Sequence, residues 1–362
     1  MSVFGRLYRG ETTIDFVGRR KWGFGFSGLL VLVSLFSLGF RGLNLGIDFE
    51  GGVSWELSTE TVQIGDVEEI LAANGIEATT AKIQELSGSD GRRLRVQTAD
   101  QAEEVRLAVK QQLAERAEVE TQEVSEARVS SSWGSSLTNK AIRALLVFFV
   151  LVSLFIAWRF EWKMAVAAFA AMVHDVVISV GVYSVFGFLV TPATVVAFLT
   201  ILGYSLYDTI VVFDRVHDNA VRLGSSRVSY GDVVNVSMNQ VLMRSLNTTI
   251  SSLLPVISLL VVGSWLLGAV TLREFAIALL VGLFLGAYSS IFIAAPLLAA
   301  YKFREPRYAA TKNVLHLGDE MQRLMGSGRE ETKRIVAEPV DGLARVTSAL
   351  THPPRPRKNK RR

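Results

Sequence analysis

The sequence predicts a polytopic α-helical membrane protein with six transmembrane helices and one extracytoplasmic α/β domain between helices 1 and 2. Three observations support this fold class. Half of the 362 residues are hydrophobic, and they gather in six long runs. Lys and Arg are concentrated in segments that six spans would place on one side of a membrane. The polar segment between the first two runs is acidic.

Each hydrophobic run has the length of a membrane helix or can be extended to it. About 18 apolar residues cross a hydrocarbon core about 30 Å thick, and a helix satisfies its own backbone hydrogen bonds in lipid. The second run is the shortest and is extendable back to residue 141. The runs cover residues 23–40, 145–158, 165–190, 193–213, 248–267 and 275–300.

Positive charge sets the predicted orientation, because Lys and Arg collect on the cytoplasmic side of spans. Residues 1–21 hold five Lys/Arg, 214–247 hold four and 301–362 hold fifteen, whereas 41–139 hold nine against eighteen Asp/Glu. We therefore expect both termini in the cytoplasm. The predicted division is a cytoplasmic N-terminus (1–21), helix 1 (22–42), an extracytoplasmic domain (43–138), helices 2–6 (139–302) with a cytoplasmic loop at about 214–247, and a partly disordered basic cytoplasmic tail (303–362).

The outer segment has the pattern of a small α/β domain. Period-two alternation predicts strands, and apolar residues at helical spacing predict two helices. The predicted order is a strand (51–59), a helix (67–75), a hairpin (79–86 and 92–98), a helix (101–116) and a strand (118–131). This β-α-β-β-α-β order is the split βαβ arrangement of ferredoxin-like folds, which by itself implies no function.

Two of the later spans carry polar stripes that include charges, and charges in a bilayer usually face a bundle interior or a wet path. In the fourth span Thr200, Tyr204 and Asp208 recur every four residues, which places them on one helix face. The fifth span opens with a stripe formed by Gln240, Arg244, Asn247, Thr248 and Ser251. Asp208 and Arg244 form the natural ionisable pair, since a nearby cation alters proton binding by an aspartate. A proton relay and a static ion pair both fit this pattern.

The third span supplies a second candidate pair. Asp175 repeats with Ser179 and Tyr183 on one face, lies about ten residues into its span, near mid-membrane by helix rise, and follows His174. Histidine titrates near neutral pH and can relay protons, although His174 and Asp175 can equally form a satisfied interior pair. Asp214 ends the fourth run beside Arg215, which predicts an interfacial salt bridge or a helix-end charge.

Several kinds of chemistry lack their sequence signals. The chain has no cysteine, which excludes disulfides and thiolate metal sites, and it has no phosphate-binding loop, catalytic triad or zinc motif. Its four histidines lie in four different regions. We therefore expect no enzymatic activity, no cofactor and no metal site. Any energy source is then the membrane potential or an ion gradient.

Four motifs carry a resemblance to a known family. They are "GIDFEGG" (46–52), "HDVVISVGVYSVFG" (174–187), "GYSLYDTIVVFDRVHDN" (203–219) and "NVSMNQVLMRSLNTT" (235–249). Over residues 15–302 the chain resembles SecF, a family of protein-export membrane proteins within the SecD/SecF group and the resistance-nodulation-division (RND) superfamily. The first motif is similar to the glycine-rich signature of the family, and we expect Gly46, Asp48, Gly51 and Gly52 to form this signature or a hinge.

The resemblance implies a six-span half-transporter in the cytoplasmic membrane of a prokaryote, paired with SecD into a pseudo-symmetric twelve-span unit. It implies use of the proton-motive force to promote export of unfolded polypeptides with the SecYEG channel and the SecA motor. By motif, Asp208 is the relay carboxylate and Arg244 its basic partner, whereas no settled role is carried over for His174 and Asp175. We expect Thr200, Tyr204, Gln240 and Asn247 to form a supporting polar face.

Two other functions remain open from the residues. One is a proton-coupled small-molecule exporter half-unit of the same superfamily, and the other is a structural scaffold for the translocase. The C-terminal "RPRKNKRR" is either a solvated tail or a contact for anionic lipid, and we expect no nucleic-acid partner. The tail of about sixty residues exceeds that of a compact member of the family.

Overall fold

The computed structural model describes residues 12–88, 91–223, 228–309, 311 and 314–326. Within these ranges six helices are long and apolar enough to cross a membrane, which confirms the predicted fold class. We name them spans 1 to 6 in chain order. They are Arg20–Phe40, Ser131–Arg159, Trp162–Phe186, Pro192–Leu223, Tyr230–Ser264 and Val270–Lys302. The end of the basic tail, with its predicted lipid contact, lies outside the described residues.

The predicted loop at about 214–247 is mostly helix, which corrects the sequence analysis. Span 4 is helical as far as Leu223 and span 5 begins at Tyr230, so residues 214–223 and 230–247 of this stretch are helical. Ser229 caps span 5, because its hydroxyl accepts from the backbone N–H of Asp232 and the Asp232 carboxylate accepts from the backbone N–H of Ser229. Both helices extend beyond their hydrophobic runs, where tertiary packing rather than lipid stabilises them.

Spans 5 and 6 each contain a π-helical segment. In span 5 the α-helix Tyr230–Ser258 includes Pro255, which removes one backbone donor, and the following turns, Leu259–Leu266, are π-helical. Span 6 consists of the α-helix Val270–Ser289, the π-helical segment Ser290–Ala294 and the α-helix Ala295–Lys302. Such segments change the direction of side chains within a helix and are frequent at functional sites.

Span 4 packs closely against span 6 because two glycines of span 6 face it. A Cβ atom at Gly282 would lie 2.2 Å from Ile201 Cδ1, and one at Gly286 would lie 2.8 Å from Ser205 Cβ. The two glycines are one helical turn apart, a small-residue spacing that lets membrane helices approach. The approach brings polar atoms of the two spans within reach of each other.

The outer domain has the predicted ferredoxin-like order. The strands of the protein are β1 (Asn44–Leu45), β2 (Gly52–Ser58), β3 (Lys82–Gly88), β4 (Gly91–Thr98), β5 (Ser125–Val129) and β6 (Leu189–Val190). The main sheet has the order β3-β4-β2-β5 with every pair antiparallel. Helices Ile64–Ala73 and Glu103–Ala117 pack on it around a core that includes Trp55, Leu94 and Leu113. Strands β1 and β6 form a separate parallel pair.

Candidate functional site

Asp208 lies inside the helical bundle and contacts a serine of the neighbouring span. Its side chain is on span 4, and the residue is 7% exposed. The Ser245 hydroxyl of span 5 lies 2.5 Å from Oδ1 and 2.6 Å from Oδ2, so its single hydrogen is shared by both carboxylate oxygens. A buried carboxyl needs such a partner because an unpaired polar group in the interior costs free energy. The burial predicted for Asp208 is therefore present.

The expected ion pair between Asp208 and Arg244 is not formed in this structure. Arg244 is exposed on the surface of span 5. It precedes Ser245, and neighbouring residues of an α-helix project about 100° apart. Ser245 therefore takes the position beside Asp208 that the sequence analysis gave to Arg244. Spacing along one helix cannot identify this residue, because the rotation of span 5 against span 4 decides it.

Asp175 lies in a second polar cluster, formed by spans 3, 4 and 6. The residue is 1% exposed. Its Oδ2 accepts hydrogen bonds from Ser205 at 2.6 Å and from Ser289 at 2.7 Å, and its Oδ1 lies 3.0 Å from Nδ1 of His174. The expected contact between His174 and Asp175 is therefore present. Ser205 and Ser289 were not predicted from the sequence, because isolated serines in apolar helices carry no periodic signal.

Hydroxyl groups also line the contact between spans 4 and 6 beyond Ser205. Thr209 and Ser290 share a hydrogen bond of 3.0 Å, and both hydroxyls lie within hydrogen-bond distance of the Ser205 carbonyl. Among the hydrogen bonds described, the Ser205 hydroxyl bonds to neither Thr209 nor Ser290. Both of their hydroxyls contact the Ser205 backbone carbonyl instead. Asp175 of span 3 and Asp208 of span 4 therefore have different hydroxyl donors, Ser205 and Ser289 for Asp175 and Ser245 for Asp208.

The supporting polar face predicted for spans 4 and 5 is only partly assembled. The Tyr204 hydroxyl lies 2.9 Å from the Thr248 carbonyl and 2.6 Å from the Ser252 hydroxyl, so these two spans do meet through polar groups. Thr200 and Asn247 are exposed instead. The span 3 stripe turns toward spans 4 and 6 and does not join this contact.

Gln240 and Asp214 belong to interactions nearer the predicted cytoplasmic end. Gln240 Oε1 accepts from Arg215 at 2.7 Å and from Asn219 at 2.9 Å. Asp214 pairs with Arg159 of span 2 at 3.2 Å, and not with the adjacent Arg215. The predicted interfacial salt bridge of Asp214 is therefore present with a different cation, because a helix turns adjacent residues in different directions.

The glycine-rich motif is a tightly packed link between span 1 and the outer domain. Gly51 has φ +80°, and a Cβ atom there would lie 2.6 Å from the Cα of Ser131 at the start of span 2. Gly52 has φ +132°, and its Cβ would lie 2.2 Å from the Thr98 carbonyl oxygen. Gly46 donates its N–H to the Val190 carbonyl at 2.9 Å. Both positive-φ positions favour glycine because it has no Cβ, so backbone packing explains this part of the motif.

The outer domain is joined to span 6 by a partly buried ion pair. Arg95 of β4 donates to Glu274 at 2.8 Å and to Glu56 of β2 at 2.6 Å. Burial opposes the charge of Arg95, but the two carboxylates hold its pKa above the ordinary arginine value. Arg93 also donates to the Gly268 carbonyl in the turn between spans 5 and 6 at 3.1 Å. The sheet is thereby fixed to the outer ends of both spans.

Comparison with known proteins identifies two matching family models. One, described as the C-terminal part of the protein export membrane proteins SecD/SecF, matches residues 108–304. The other, described as the SecD/SecF GG motif, matches residues 36–61. Together they include the outer domain's second half, spans 2 to 6 and the glycine-rich link.

Sequence relatives and a solved structure agree with these models. The chain is 39% identical over 349 residues to the protein translocase subunit SecF of Streptomyces coelicolor, covering 95% of this chain and 86% of that relative. It is 41% identical to SecF of Mycobacterium tuberculosis, covering 84% and 70%. The crystal structure of SecDF from Thermus thermophilus matches with a TM-score of 0.73 at 33% identity. That match covers 82% of this chain but 39% of the SecDF chain.

Proposed function

The chain belongs to the SecF family of protein translocase subunits, and from this premise we propose that it promotes protein export by using the proton-motive force together with a SecD-type partner. The contact between Asp208 and Ser245 is the observation that carries the proposal. Proton uptake by the Asp208 carboxyl changes the free energy of this contact. The coupling needs no bond-making chemistry on a substrate, so we assign no enzymatic activity.

The position of Arg244 supports a two-state relay. When Asp208 carries a proton, the Ser245 hydroxyl is a sufficient partner for the neutral carboxyl. When Asp208 is ionised, a cation is the better partner, and a turn of span 5 by about 100° exchanges Ser245 for Arg244. A proton shifts such an equilibrium only if the two states bind it with different affinity, and a serine and an arginine provide that difference.

Movement of span 5 has a direct route to the outer domain. The outer end of the span leads into the turn at Gly268, whose carbonyl accepts from Arg93 of the sheet. Span 6 follows at once, and its Glu274 pairs with Arg95. These two contacts connect strand β4 to the turn after span 5 and to span 6. Rotation of span 5 therefore displaces the outer domain. We propose that this movement acts on exported, unfolded polypeptides at the SecYEG channel, which the SecA motor feeds.

The exposed surface of spans 4 and 5 supports a membrane partner. Polar or charged side chains facing lipid cost free energy, and such residues usually lie against protein or water. Thr200, Tyr207, Arg244 and Asn247 are all exposed on these two spans. A SecD-type subunit covering this surface removes that cost, and the SecDF name of the Thermus thermophilus relative supports such a pairing. We also propose the orientation set by positive charge, with both termini in the cytoplasm of a prokaryote.

The test uses vesicles that contain the chain, a SecD-type partner and the export channel. We expect Asp208→Asn to abolish proton flux and to reduce export to the level without the chain. Asp214→Asn is the matched control, because Asp214 is an exposed carboxylate of the same span. Unchanged flux and export in Asp208→Asn would overturn the proposal, whereas lost flux with normal export would favour the scaffold function. Arg244→Lys should lower flux, since lysine keeps the charge but not the geometry of arginine.

A further inference from the structure

We propose that His174 and Asp175 form a second proton-binding site, distinct from Asp208, which passes protons toward the cytoplasmic end of span 1. This inference rests on the proposed proton coupling and adds a further relay pair to it. The two side chains are in contact at 3.0 Å, and both are buried in the bundle. The pair has the groups needed for proton transfer: a carboxyl, an imidazole and two hydroxyl donors.

One ring nitrogen of His174 lacks a hydrogen-bond partner among the described residues. His174 is 9% exposed, and within the described part of the chain its Nε2 has no hydrogen-bond partner although Nδ1 has Asp175. A buried ring nitrogen without a partner costs free energy in either tautomer, since it is either an unpaired donor or an unpaired acceptor. Such a group in a native structure points to a role such as proton transfer.

Polar groups of spans 6 and 1 follow His174 toward the predicted cytoplasmic end of span 1. The ring of Tyr288 in span 6 stacks on His174 with centroids 6.2 Å apart. Its hydroxyl donates to the Gly23 carbonyl of span 1 at 3.1 Å and lies 3.0 Å from the Ser27 hydroxyl. Because a tyrosine has one hydroxyl hydrogen, Ser27 is the donor in the second contact.

A large cavity at the predicted cytoplasmic end of span 1 reaches Gly23, whose carbonyl accepts from Tyr288. Its volume is about 520 Å³, and it is lined by residues that include Gly23, Asp15, Arg19 and Arg20. On the other side of Asp175 lies a cavity of about 240 Å³, whose span 2 wall consists of Ala141, Ile142 and Leu145. Apart from Asp175, the polar residues lining this smaller cavity are Ser179 and Tyr183, whereas the cavity near span 1 is lined by the charged residues Asp15, Arg19 and Arg20.

Residues of spans 1, 2, 4 and 6 surround the pair of His174 and Asp175. Tyr288 is the titratable residue that stacks on it from span 6, and span 1 contributes the Ser27 hydroxyl through Tyr288. Span 4 contributes Ser205, with Asp208 one turn further along the helix. Span 2 contributes the three apolar residues named above. The groups in direct contact with Asp175 are thus His174, Ser205 and Ser289.

The proposed transfer moves one proton from Asp175 through His174 to water. The O–H bond of the protonated Asp175 carboxyl breaks as an N–H bond forms at Nδ1 of His174. The resulting imidazolium then releases its Nε2 proton to a water molecule that enters the bundle beside the ring, since Nε2 has no partner among the described residues. The products are an ionised Asp175, a histidine protonated at Nδ1 and one proton delivered. Ser205 and Ser289 hold the carboxylate meanwhile by donating to Oδ2.

The test follows carboxyl bands by infrared difference spectroscopy while the pH is changed, with the full-length chain in lipid vesicles. We expect Asp175 and Asp208 each to contribute one of the buried carboxyl components of the unmodified protein, beside those of Asp232 and Glu274. Asp175→Asn should remove the Asp175 component, Asp208→Asn the Asp208 component, and the exposed control Asp214→Asn neither. His174→Gln should retain both but shift the midpoint of the Asp175 component, because it removes the imidazole that contacts Oδ1.

Two results would overturn the inference: an Asp175→Asn spectrum that titrates like the unmodified protein, or a midpoint unaffected by His174→Gln. If Asp175→Asn does not fold, Ser289→Ala keeps the carboxyl and removes one of its donors, and the same component must then shift. The outcome is separable from the proposed export function. A proton flux unaffected by Asp208→Asn would refute that function while leaving the Asp175 titration and its dependence on His174 in place.

Discussion

Gly286 of span 6 and Ser205 of span 4 lie closer together than a side chain at position 286 would permit. A Cβ there would be 2.8 Å from Ser205 Cβ and 3.1 Å from Ser205 Cα. This approach holds Ser205 where its hydroxyl donates to Asp175 at 2.6 Å. The absence of one side chain on span 6 therefore shapes a polar cluster on spans 3 and 4.

Gly286→Ala should destabilise the bundle by about 1–3 kcal/mol, the usual cost of overpacking. Gly203→Ala is the matched control, since a Cβ at Gly203 meets nothing within 4 Å and alanine favours helix by up to about 1 kcal/mol. Thermal unfolding of the purified variants measures both effects. Equal melting temperatures for the two variants would contradict the packing argument.

Glu274→Gln should loosen the outer domain from the bundle. Arg95 and Glu274 are both largely buried and lie 2.8 Å apart, and a hydrogen bond to a charged group contributes about 1.5–3 kcal/mol. Hydrogen exchange of β4 and of the first turn of span 6 should increase together.

The control for this change is Asp100→Asn, which removes the exposed bridge from Arg128 to Asp100. Exposed pairs contribute at most about 1 kcal/mol, so exchange at the domain interface should stay as in the unmodified protein. If Glu274→Gln behaves like this control, Arg95 and Glu274 do not join the domain to span 6.

The turn after span 6 should weaken in acid because of Glu305. Partial burial opposes ionisation of Glu305, but Lys163 and Lys302 hold its pKa below the ordinary value of 4.5. A carboxylate with a lowered pKa in the folded state stabilises the protein above its unfolded pKa, and this stability is lost as the pH falls through the lower folded value.

The melting temperature of the unmodified protein should therefore fall below about pH 4.5 by more than that of Glu305→Gln, whose amide cannot ionise. The melting temperatures of both proteins, measured from neutral to acidic pH, give the contribution of Glu305 to the acid response. Parallel curves for the two proteins would show that Glu305 has no part in the acid response.

Gly51→Ala should disrupt the link between span 1 and the outer domain. A Cβ at position 51 would lie 2.6 Å from Ser131 Cα, and its φ of +80° is one that other residues rarely adopt. We expect a loss of folded protein on expression. Gly65→Ala, in an open helical position of the same domain, should fold normally or gain up to about 1 kcal/mol. Normal folding of Gly51→Ala would mean that the link tolerates a side chain.

The sequence predicted the six spans and the βαββαβ order because each depends on local patterns. The bilayer requires long apolar helices, and strand and helix periods are visible without knowledge of the packing. It also identified Asp208 and Asp175 as buried carboxylates, since charges are rare among such neighbours.

The partners of these carboxylates were not predictable from the same patterns. Ser245 and Arg244 are adjacent in sequence, and only the rotation of span 5 decides which one faces Asp208. Ser205 and Ser289 reach Asp175 because span 6 approaches span 4 at Gly286, which is a tertiary property. The helical ends beyond 213 and before 248 also escaped prediction, since they contain charged residues and depend on packing against one another.

The most direct test of the relay is a distance measurement between spans 4 and 5 at different pH. The chain has no cysteine, so two introduced cysteines, Gly203→Cys and Asn247→Cys, can carry spin labels on exposed positions of the two spans. We expect two distance populations whose ratio changes with pH, and a single population at every pH when Asp208→Asn is added. A distance distribution that changes neither with pH nor on Asp208→Asn substitution would contradict the proton-driven exchange of Ser245 and Arg244.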